Sequence, residues 1–390
     1  MKKQSGAFSV FVAGLVAALL IQLVNQSHVF LSTEKQTKWN AAKAKCEARY
    51  SRPSRLVTDE RVYNPRTSIY GKNATSKLIK NALLLDGDGK LTSDLHDIFI
   101  TNGLIKSIHK SGYSDQAQTL RTTTNHTLEV IDAKGHIASP GLVEMHSHIG
   151  ICSQPELKGT NDMFELMSPA TPFTRVIDAF NIGDPAIKLN AMGGVTSSLV
   201  LPSANIISSE GYVFKMAVPE SRSVEQMLIQ YDPEHPFQSP NAGKRHRWMK
   251  MACGENPKKR FMNRPEAPKS RMGLGYLFRE YMDRATRLKE EQDEWCKAVE
   301  QMNIPDTQFP HEVDIEILVG LLRGQVSSNA HCYETFDIET LLRHSKEYNF
   351  EVDALHHALD AYLIPDILKS LPWNITIATF ATLWGFKKEA

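Results

Sequence analysis

The segment that decides the fold lies between Val130 and Gly150 and reads Val-Ile-Asp-Ala-Lys-Gly-His-Ile-Ala-Ser-Pro-Gly-Leu-Val-Glu-Met-His-Ser-His-Ile-Gly. Its Pro140-Gly141 turn introduces an apolar strand that ends in the pair His146-x-His148. Residues two apart on a strand point to the same side, so both imidazoles can reach one cation. The pair alone is a weak signal, but it becomes strong at the end of the first strand of a barrel, where barrel enzymes place their active sites.

Around this segment the chain changes from short strands to an alternation of strands and helices. Residues 67–138 contain strand-like runs and turns such as Asp86-Gly87-Asp88-Gly89, which predict a small β-sandwich-like unit. Beyond Pro140 the alternation is typical of a βα barrel or a doubly wound sheet. About seven strands are predicted there, near 142–148, 195–201, 212–217, 248–253, 326–332, 351–356 and 375–380.

The N-terminus has the pattern of a membrane anchor. Lys2 and Lys3 precede an apolar run from Ala7 to Val24, at the short end of what a membrane-spanning helix needs. With no clear cleavage site at its end, residues 1–30 are predicted to be an uncleaved signal anchor, with a cleaved signal peptide as the alternative. The bulk would then be lumenal or extracellular. Acceptor sequons for glycosylation agree with that route and lie at Asn25, Asn73, Asn125 and Asn374.

Composition excludes several classes of protein. Lys plus Arg is 45 and Asp plus Glu is 44, so the net charge of +1 gives no reason to expect nucleic acid as a partner. The sequence contains no Walker loop, no G-x-S-x-G and no Rossmann fingerprint, which argues against nucleotide-dependent chemistry and serine hydrolysis. The five scattered cysteines predict neither a disulfide scaffold nor a zinc ribbon, and Cys253 and Cys332 are expected to be small core residues.

In this context the motif resembles the amidohydrolase superfamily of metal-dependent hydrolases, especially its imidazolonepropionase-like branch. The similarity covers roughly residues 77–390 and includes Pro140-Gly141-Leu142, His146-x-His148 and Gly193-Gly194-Val195-Thr196-Ser197. Glu144 stands where the family usually has aspartate. The resemblance implies an α/β fold with a TIM-type (βα)8 barrel. The expected domains are an anchor at 1–30, a stalk or linker at 31–66, a composite β domain at 67–138 and the barrel at 139–390, with an insertion at about 257–325.

The resemblance also implies one or two divalent ions at the barrel mouth, with zinc as the expected ion. His331 is similar to the fifth-strand ligand, and His357 to the sixth-strand ligand, with His356 as the alternative. For the fourth strand, Glu255 is favoured as a bridging carboxylate, and a carbamylated Lys250 is the alternative. The predicted metal-binding set is His146, His148, Glu255, His331 and His357.

The resemblance leaves one part of the family pattern unaccounted for. Family members have an eighth strand that ends in an aspartate, which serves as the proton shuttle. The sequence reaches Ala390 shortly after the seventh predicted strand. We therefore expect an incomplete, C-terminally truncated barrel, and no catalytic residue is assigned.

The function expected from the resemblance is hydrolysis of a C–N bond in a small-molecule amide, cyclic amide or dipeptide-like compound by metal-activated water. The alternative is a catalytically inactive remnant or a membrane-tethered binding glycoprotein. The expected partners are the small-molecule substrate and, through the N-terminal helix, the membrane.

Overall fold

The computed structural model describes residues 35–51, 76–112, 128–203, 205–231 and 246–379. The described residues divide into two compact units. One contains 35–51 and 286–312, and the other contains the remaining described residues, which lie within 76–285 and 313–379. The helices are α1 (35–48), α2 (Pro185–Met192), α3 (Val224–Met227), α4 (Glu255–Arg260), α5 (Arg271–Glu300), α6 (Glu316–Leu322), α7 (Thr335–Tyr348) and α8 (Pro365–Lys369).

The first unit is held together by a disulfide between helices that are far apart in sequence. Cys46 of α1 and Cys296 of α5 are bonded across a sequence separation of 250 residues. Beside the bond, the Trp39 indole donates a hydrogen bond to the carbonyl of Val299 at 3.2 Å. The expectation of a chain without a disulfide scaffold is therefore wrong here. The spacing of cysteines along the sequence carries no information about a pair this distant.

The second unit begins with a small sheet of five strands. Its strands are β1 (Ser76–Leu84), β2 (His96–Thr101), β3 (Leu104–Lys110), β4 (Leu128–Asp132) and β5 (Ile137–Ala138). The order is β3-β2-β1-β4, and β5 pairs with the far end of β1. The hairpin between β2 and β3 turns at Asn102-Gly103, where both residues have positive φ as a tight two-residue turn requires.

A seven-stranded sheet forms the rest of this unit and carries the candidate site. Its strands are β6 (Leu142–Ser147), β7 (Val195–Val200), β8 (Ile207–Lys215), β9 (Arg247–Ala252), β10 (Val326–Cys332), β11 (Ala354–His357) and β12 (Thr376–Ala378). The strands lie side by side in the order of the chain. All neighbours are parallel except β8, which is antiparallel to both β7 and β9.

The reversed strand β8 corrects the fold class predicted from the sequence. A TIM-type (βα)8 barrel, even an incomplete one, consists of parallel strands that are each followed by a helix. Here β7 ends at Val200 and β8 begins at Ile207. The connection 201–206 is too short for a parallel crossover, which needs a dozen or more residues, so the chain must turn back. The fold is mixed α/β with a barrel-like, nearly closed sheet.

The predicted membrane anchor also needs correction. Among the residues that the structure describes, no helix is both long and apolar enough to cross a membrane. The described residues therefore lend no support to the membrane-anchored architecture or to the membrane localisation. The apolar run Ala7–Val24, on which both predictions rested, lies outside the described residues.

A buried ion-pair network fixes the amino-terminal end of β9. The Arg247 guanidinium donates two hydrogen bonds to Glu210 of β8, at 2.8 and 3.1 Å. It donates two more to Glu316 of α6, both at 3.0 Å. Burial alone would lower the pKa of Arg247, but the hydrogen bonds and charges of the two glutamates raise it. Arg247 therefore stays charged and connects β8, β9 and α6.

We predict that Arg247→Ala lowers the free energy of unfolding by about 3–5 kcal/mol, because it leaves two partly buried carboxylates without their cation. Urea denaturation followed by circular dichroism measures the change. The control is Arg175→Ala, whose half-exposed pair with Asp178 should contribute no more than about 1 kcal/mol. Equal losses for the two variants would contradict the structural role of the Arg247 network.

Candidate functional site

Imidazoles from three strands converge at one end of the seven-stranded sheet. Each comes from the carboxyl-terminal end of β6, β10 or β11, or from the residue just after it. Pairs of neighbouring ring centroids are separated by 4.4 to 5.4 Å. The members of this imidazole cluster are His146, His148, His331, His356 and His357.

The first two members of the cluster, His146 and His148, are held by hydrogen bonds near the ends of β6 and β7. The Nδ1 atom of His148 lies 2.6 Å from the carbonyl oxygen of Leu201, to which it donates a hydrogen bond. The Glu144 carboxylate accepts a hydrogen bond from the backbone N–H of His146 at 2.8 Å. Glu144 thus supports the strand end, although the family usually has the shorter aspartate at this position. The two imidazoles of the H-x-H pair lie on one side of the strand, as their spacing requires.

The next member, His331, is buried on β10. Its Nε2 atom lies 2.7 Å from the side-chain amide of Asn256, the second residue of α4. The aromatic ring of Tyr333 packs edge-on against the imidazole, with 4.6 Å between the centroids. His331 is therefore held by a polar contact from α4 and by a ring contact from the residue that follows β10.

The adjacent pair His356-His357 shows how a strand end can direct two neighbours to one site. Adjacent residues of a regular strand face opposite ways, so a regular β11 would direct only one of the two imidazoles toward the cluster. His357 and Ala358 instead have φ values of 65° and 41°, which take the chain out of the extended conformation. The His356 ring contacts His146, and the His357 ring contacts both His331 and His146.

A buried lysine lies among these imidazoles. Lys250 of β9 is only 2% exposed, and burial lowers the pKa of its amine to about 7. Burial, followed by the charge of Lys250, lowers the pKa of His148 to about 4, of His356 to about 3 and of His357 to about 4. The same two causes lower the pKa of His146 and of His331 further. The imidazoles are therefore neutral at physiological pH, which is the form that binds a cation.

Glu255, the favoured fourth-strand residue, has different neighbours. It is the first residue of α4 and interacts electrostatically with Lys259 and Arg271 and with two acidic side chains, Glu334 and Asp337. Burial raises the pKa of its carboxyl. The charges that lower the pKa values of the imidazoles come from Lys250 and from other imidazoles. The structure thus brings the alternative residue, Lys250, into the cluster.

The cluster is a set of suitable donors rather than a finished coordination sphere. Within the described ranges, no three His, Cys, Asp or Glu side chains already stand in a metal-coordinating arrangement. The fit therefore rests on the chemistry of the donors. Imidazoles from three strand ends lie with neighbouring ring centroids 4.4 to 5.4 Å apart, and neutral imidazole nitrogen is a ligand that zinc prefers.

The cysteines beside the site are paired. Cys253 and Cys332, which were predicted only to be small core residues, form a disulfide between the ends of β9 and β10. Their backbone groups also position neighbouring site residues. The N–H of Cys253 donates to the carbonyl of His331 at 2.8 Å, and the carbonyl of Cys332 accepts from the N–H of Ala358 at 2.9 Å.

Sequence reasoning missed Asn329, a buried residue that contacts the cluster. Its side-chain oxygen lies 3.0 Å from Nε2 of His356. A usable signal was present, because Asn329 precedes His331 by two positions on β10 and therefore shares its side of the strand. Asn256 gave no such signal, since it follows β9 in a helix and meets His331 only through the tertiary fold.

Known proteins with similar sequences and a similar fold agree with the amidohydrolase resemblance. Amidohydrolase tasK of Hapsidospora irregularis is 36% identical over 338 residues, which cover 80% of this chain and 32% of that protein. The chain thus spans about a third of the length of this curated relative. Urease subunit alpha of Staphylococcus xylosus is 30% identical over 92 residues, 24% of this chain and 16% of the subunit. No family model matches the chain.

A solved structure gives the same assignment. The crystal structure of an amidohydrolase from Thermotoga maritima MSB8 matches with a TM-score of 0.63 and 26% identity over 78% of this chain and 70% of that one. The fold and the converging imidazoles define a barrel-like α/β protein with a cluster of histidines at its strand ends. The chain belongs to the amidohydrolase superfamily, as the sequence predicted. Its assignment to the imidazolonepropionase-like branch stays a prediction.

We predict that Ala358→Gly is tolerated far better than Ala330→Gly, a matched change on β10. Both alanines are buried, and both changes remove one methyl group. Only Ala358 has the left-handed backbone, where replacing a non-glycine residue relieves about 1–2 kcal/mol of strain. Thermal unfolding should therefore show a difference of about 1–2 kcal/mol in favour of Ala358→Gly. Equal destabilisation would mean that the backbone at His357-Ala358 is not strained as described.

Proposed function

We propose that the chain is the catalytic region of a metal-dependent hydrolase that cleaves a C–N bond in a non-peptide small molecule, such as an amide, a cyclic amide or a dipeptide-like compound. The observation that carries the proposal is the convergence of five neutral imidazoles and one buried lysine at the strand ends of a barrel-like sheet. Amidohydrolase relatives of similar fold support it.

A divalent ion, with zinc as the expected one, would be held by His146, His148, His331 and His357. Bound there, such an ion supplies a water of lowered pKa and polarises the carbonyl of the substrate. The residues of the chain hold the ligand side chains in place, as the Leu201 carbonyl does for His148. Burial within the sheet end keeps the imidazoles unprotonated.

Lys250 is the better candidate for the residue that bridges two metal ions. Its amine is buried among the imidazoles, and its lowered pKa makes the neutral, nucleophilic form available near pH 7. The amine nitrogen can attack the carbon of carbon dioxide. An N–C bond then forms, the electron pair of one C–O π bond moves to oxygen, and the nitrogen loses one proton, which gives a carbamate. The carbamate would supply the negative charge that the sequence prediction attributes to the carboxylate of Glu255. We assign no proton-shuttling carboxylate within the described residues.

We predict near-stoichiometric zinc in the purified protein and its loss in the double variant His146→Asn/His148→Asn, measured by inductively coupled plasma mass spectrometry. The same preparations are assayed against a panel of N-acyl amino acids, cyclic amides and dipeptides. The matched control is His109→Asn, an exposed histidine on β3 outside the cluster, which should leave both readouts unchanged.

Two results would count against the proposed function. A well-folded wild-type protein that takes up no divalent metal after incubation with zinc would contradict the metal centre. Stoichiometric zinc without hydrolysis of any compound in the panel would favour the alternative of a non-catalytic binding protein.

A separate prediction distinguishes Lys250 from Glu255. Protein incubated with zinc and ¹³C-bicarbonate should show a carbamate carbon resonance, which Lys250→Met removes and Glu255→Gln leaves in place. Methionine fills a similar volume in the buried position, so Lys250→Met should still fold. A carbamate signal that survives in Lys250→Met, or loss of zinc in Glu255→Gln alone, would return the bridging role to Glu255.

A further inference from the structure

We infer that Asn329 is a positioning residue whose side-chain amide fixes the tautomer of His356 and, through His356, the tautomer of His146. The inference deepens the proposed function and rests on it, because it assigns which ring nitrogens can face a metal ion. It also gives a physical reason to prefer His357 over His356 as the ligand from β11.

The orientation of the Asn329 amide is determined by its surroundings. Asn329 is 4% exposed, and its nitrogen faces the carbonyl oxygens of Met249 and Ser327 at 3.4 and 3.5 Å. A carbonyl oxygen can only accept a hydrogen bond, so the NH2 group must lie on that side. The flipped amide would place its oxygen against two other oxygens. The side-chain oxygen of Asn329 therefore faces Nε2 of His356, at 3.0 Å.

This orientation decides the tautomer of His356. An amide oxygen accepts, so Nε2 of His356 must carry a proton and donate it to Asn329. The ring is fully buried, and burial favours the neutral form of an imidazole, which has one ring proton in total. The Nδ1 atom of His356 therefore carries a lone pair.

The tautomer of His356 in turn decides the tautomer of His146. Its Nδ1 atom lies 3.0 Å from Nδ1 of His356, and one of the two atoms must donate. Since Nδ1 of His356 has no proton, Nδ1 of His146 is the donor and Nε2 of His146 keeps the lone pair. His148 reaches the same tautomer by another contact, because its Nδ1 donates to the Leu201 carbonyl at 2.6 Å. In both histidines of the H-x-H pair, Nε2 is thus the unprotonated nitrogen that can bind a metal ion.

His356 consequently has a supporting role. One of its ring nitrogens is engaged by Asn329 and the other by His146. His357 follows it on β11 and lies with its ring 4.4 Å from that of His331, centroid to centroid. The geometry assigns metal binding to His357 and orientation of His146 to the pair Asn329 and His356. A second-shell partner of this kind typically contributes 10–100-fold to metal affinity.

The test combines a spectroscopic readout with a binding readout on the full chain. In wild-type, metal-free protein labelled with ¹⁵N-histidine, long-range ¹H–¹⁵N spectra should show His356 protonated at Nε2 and His146 protonated at Nδ1. Zinc affinity is then measured by competition with a chromophoric chelator. Asn329→Leu should weaken zinc binding 10–100-fold and alter the ring signals of both histidines.

Two further variants separate positioning from a merely structural role. Asn329→Asp retains an oxygen acceptor and should keep His356 protonated at Nε2. Ser328→Ala removes hydrogen bonds from a fully buried neighbour on the same strand and should leave the tautomers and the zinc affinity unchanged. If Asn329→Leu does not fold, the spectra of the wild type and of Asn329→Asp still decide the question.

A wild-type spectrum with His356 protonated at Nδ1 would overturn the inference, as would an Asn329→Leu variant with wild-type zinc affinity and unchanged ring signals. Failure of the proposed function looks different. In that case the wild-type protein binds no zinc, whereas the tautomers are still read from its metal-free spectrum.

Discussion

The imidazoles of His146 and His356 meet at 3.0 Å although β6 and β11 are five positions apart in the sheet order. In a flat sheet, strands about 4.8 Å apart would separate them by roughly 24 Å. The contact therefore exists only because the seven-stranded sheet curls until its first and sixth strands face each other. Every other feature of the site depends on this curvature, since it brings the strand ends of β9 and β10 to the same place.

The curled sheet contains one reversed strand, and the reversal has a local cause. The connection between β7 and β8 is too short to return to the start of the sheet, so β8 runs back along β7. The reversal also places Glu210 of β8 beside Arg247 at the start of β9. The ion pair lies at the opposite end of β9 from the strand end that precedes the candidate site, and it connects the reversed strand to the parallel part of the sheet.

The chemistry of the site follows from burial. An imidazole or an amine inside a barrel-like sheet loses the hydration that stabilises its charged form, so the pKa values of His148 and Lys250 fall to about 4 and 7. Neutral donors at close spacing accept a cation where charged ones would repel it. The hydrogen bonds of Asn329 and Leu201 then determine which nitrogen of a neutral ring carries its lone pair.

The sequence by itself determined the features that depend on local pattern. The period of two placed His146 and His148 on one side of a strand, the alternation of strands and helices located most of the sheet, and the motif context identified the superfamily. Tertiary structure alone decided that both His356 and His357 turn inward, that Lys250 is buried where its charge acts on the imidazoles, and that Cys46 pairs with Cys296. The physical reason is that strand direction, burial and the pairing of distant residues depend on how the sheet curls, which no local spacing records.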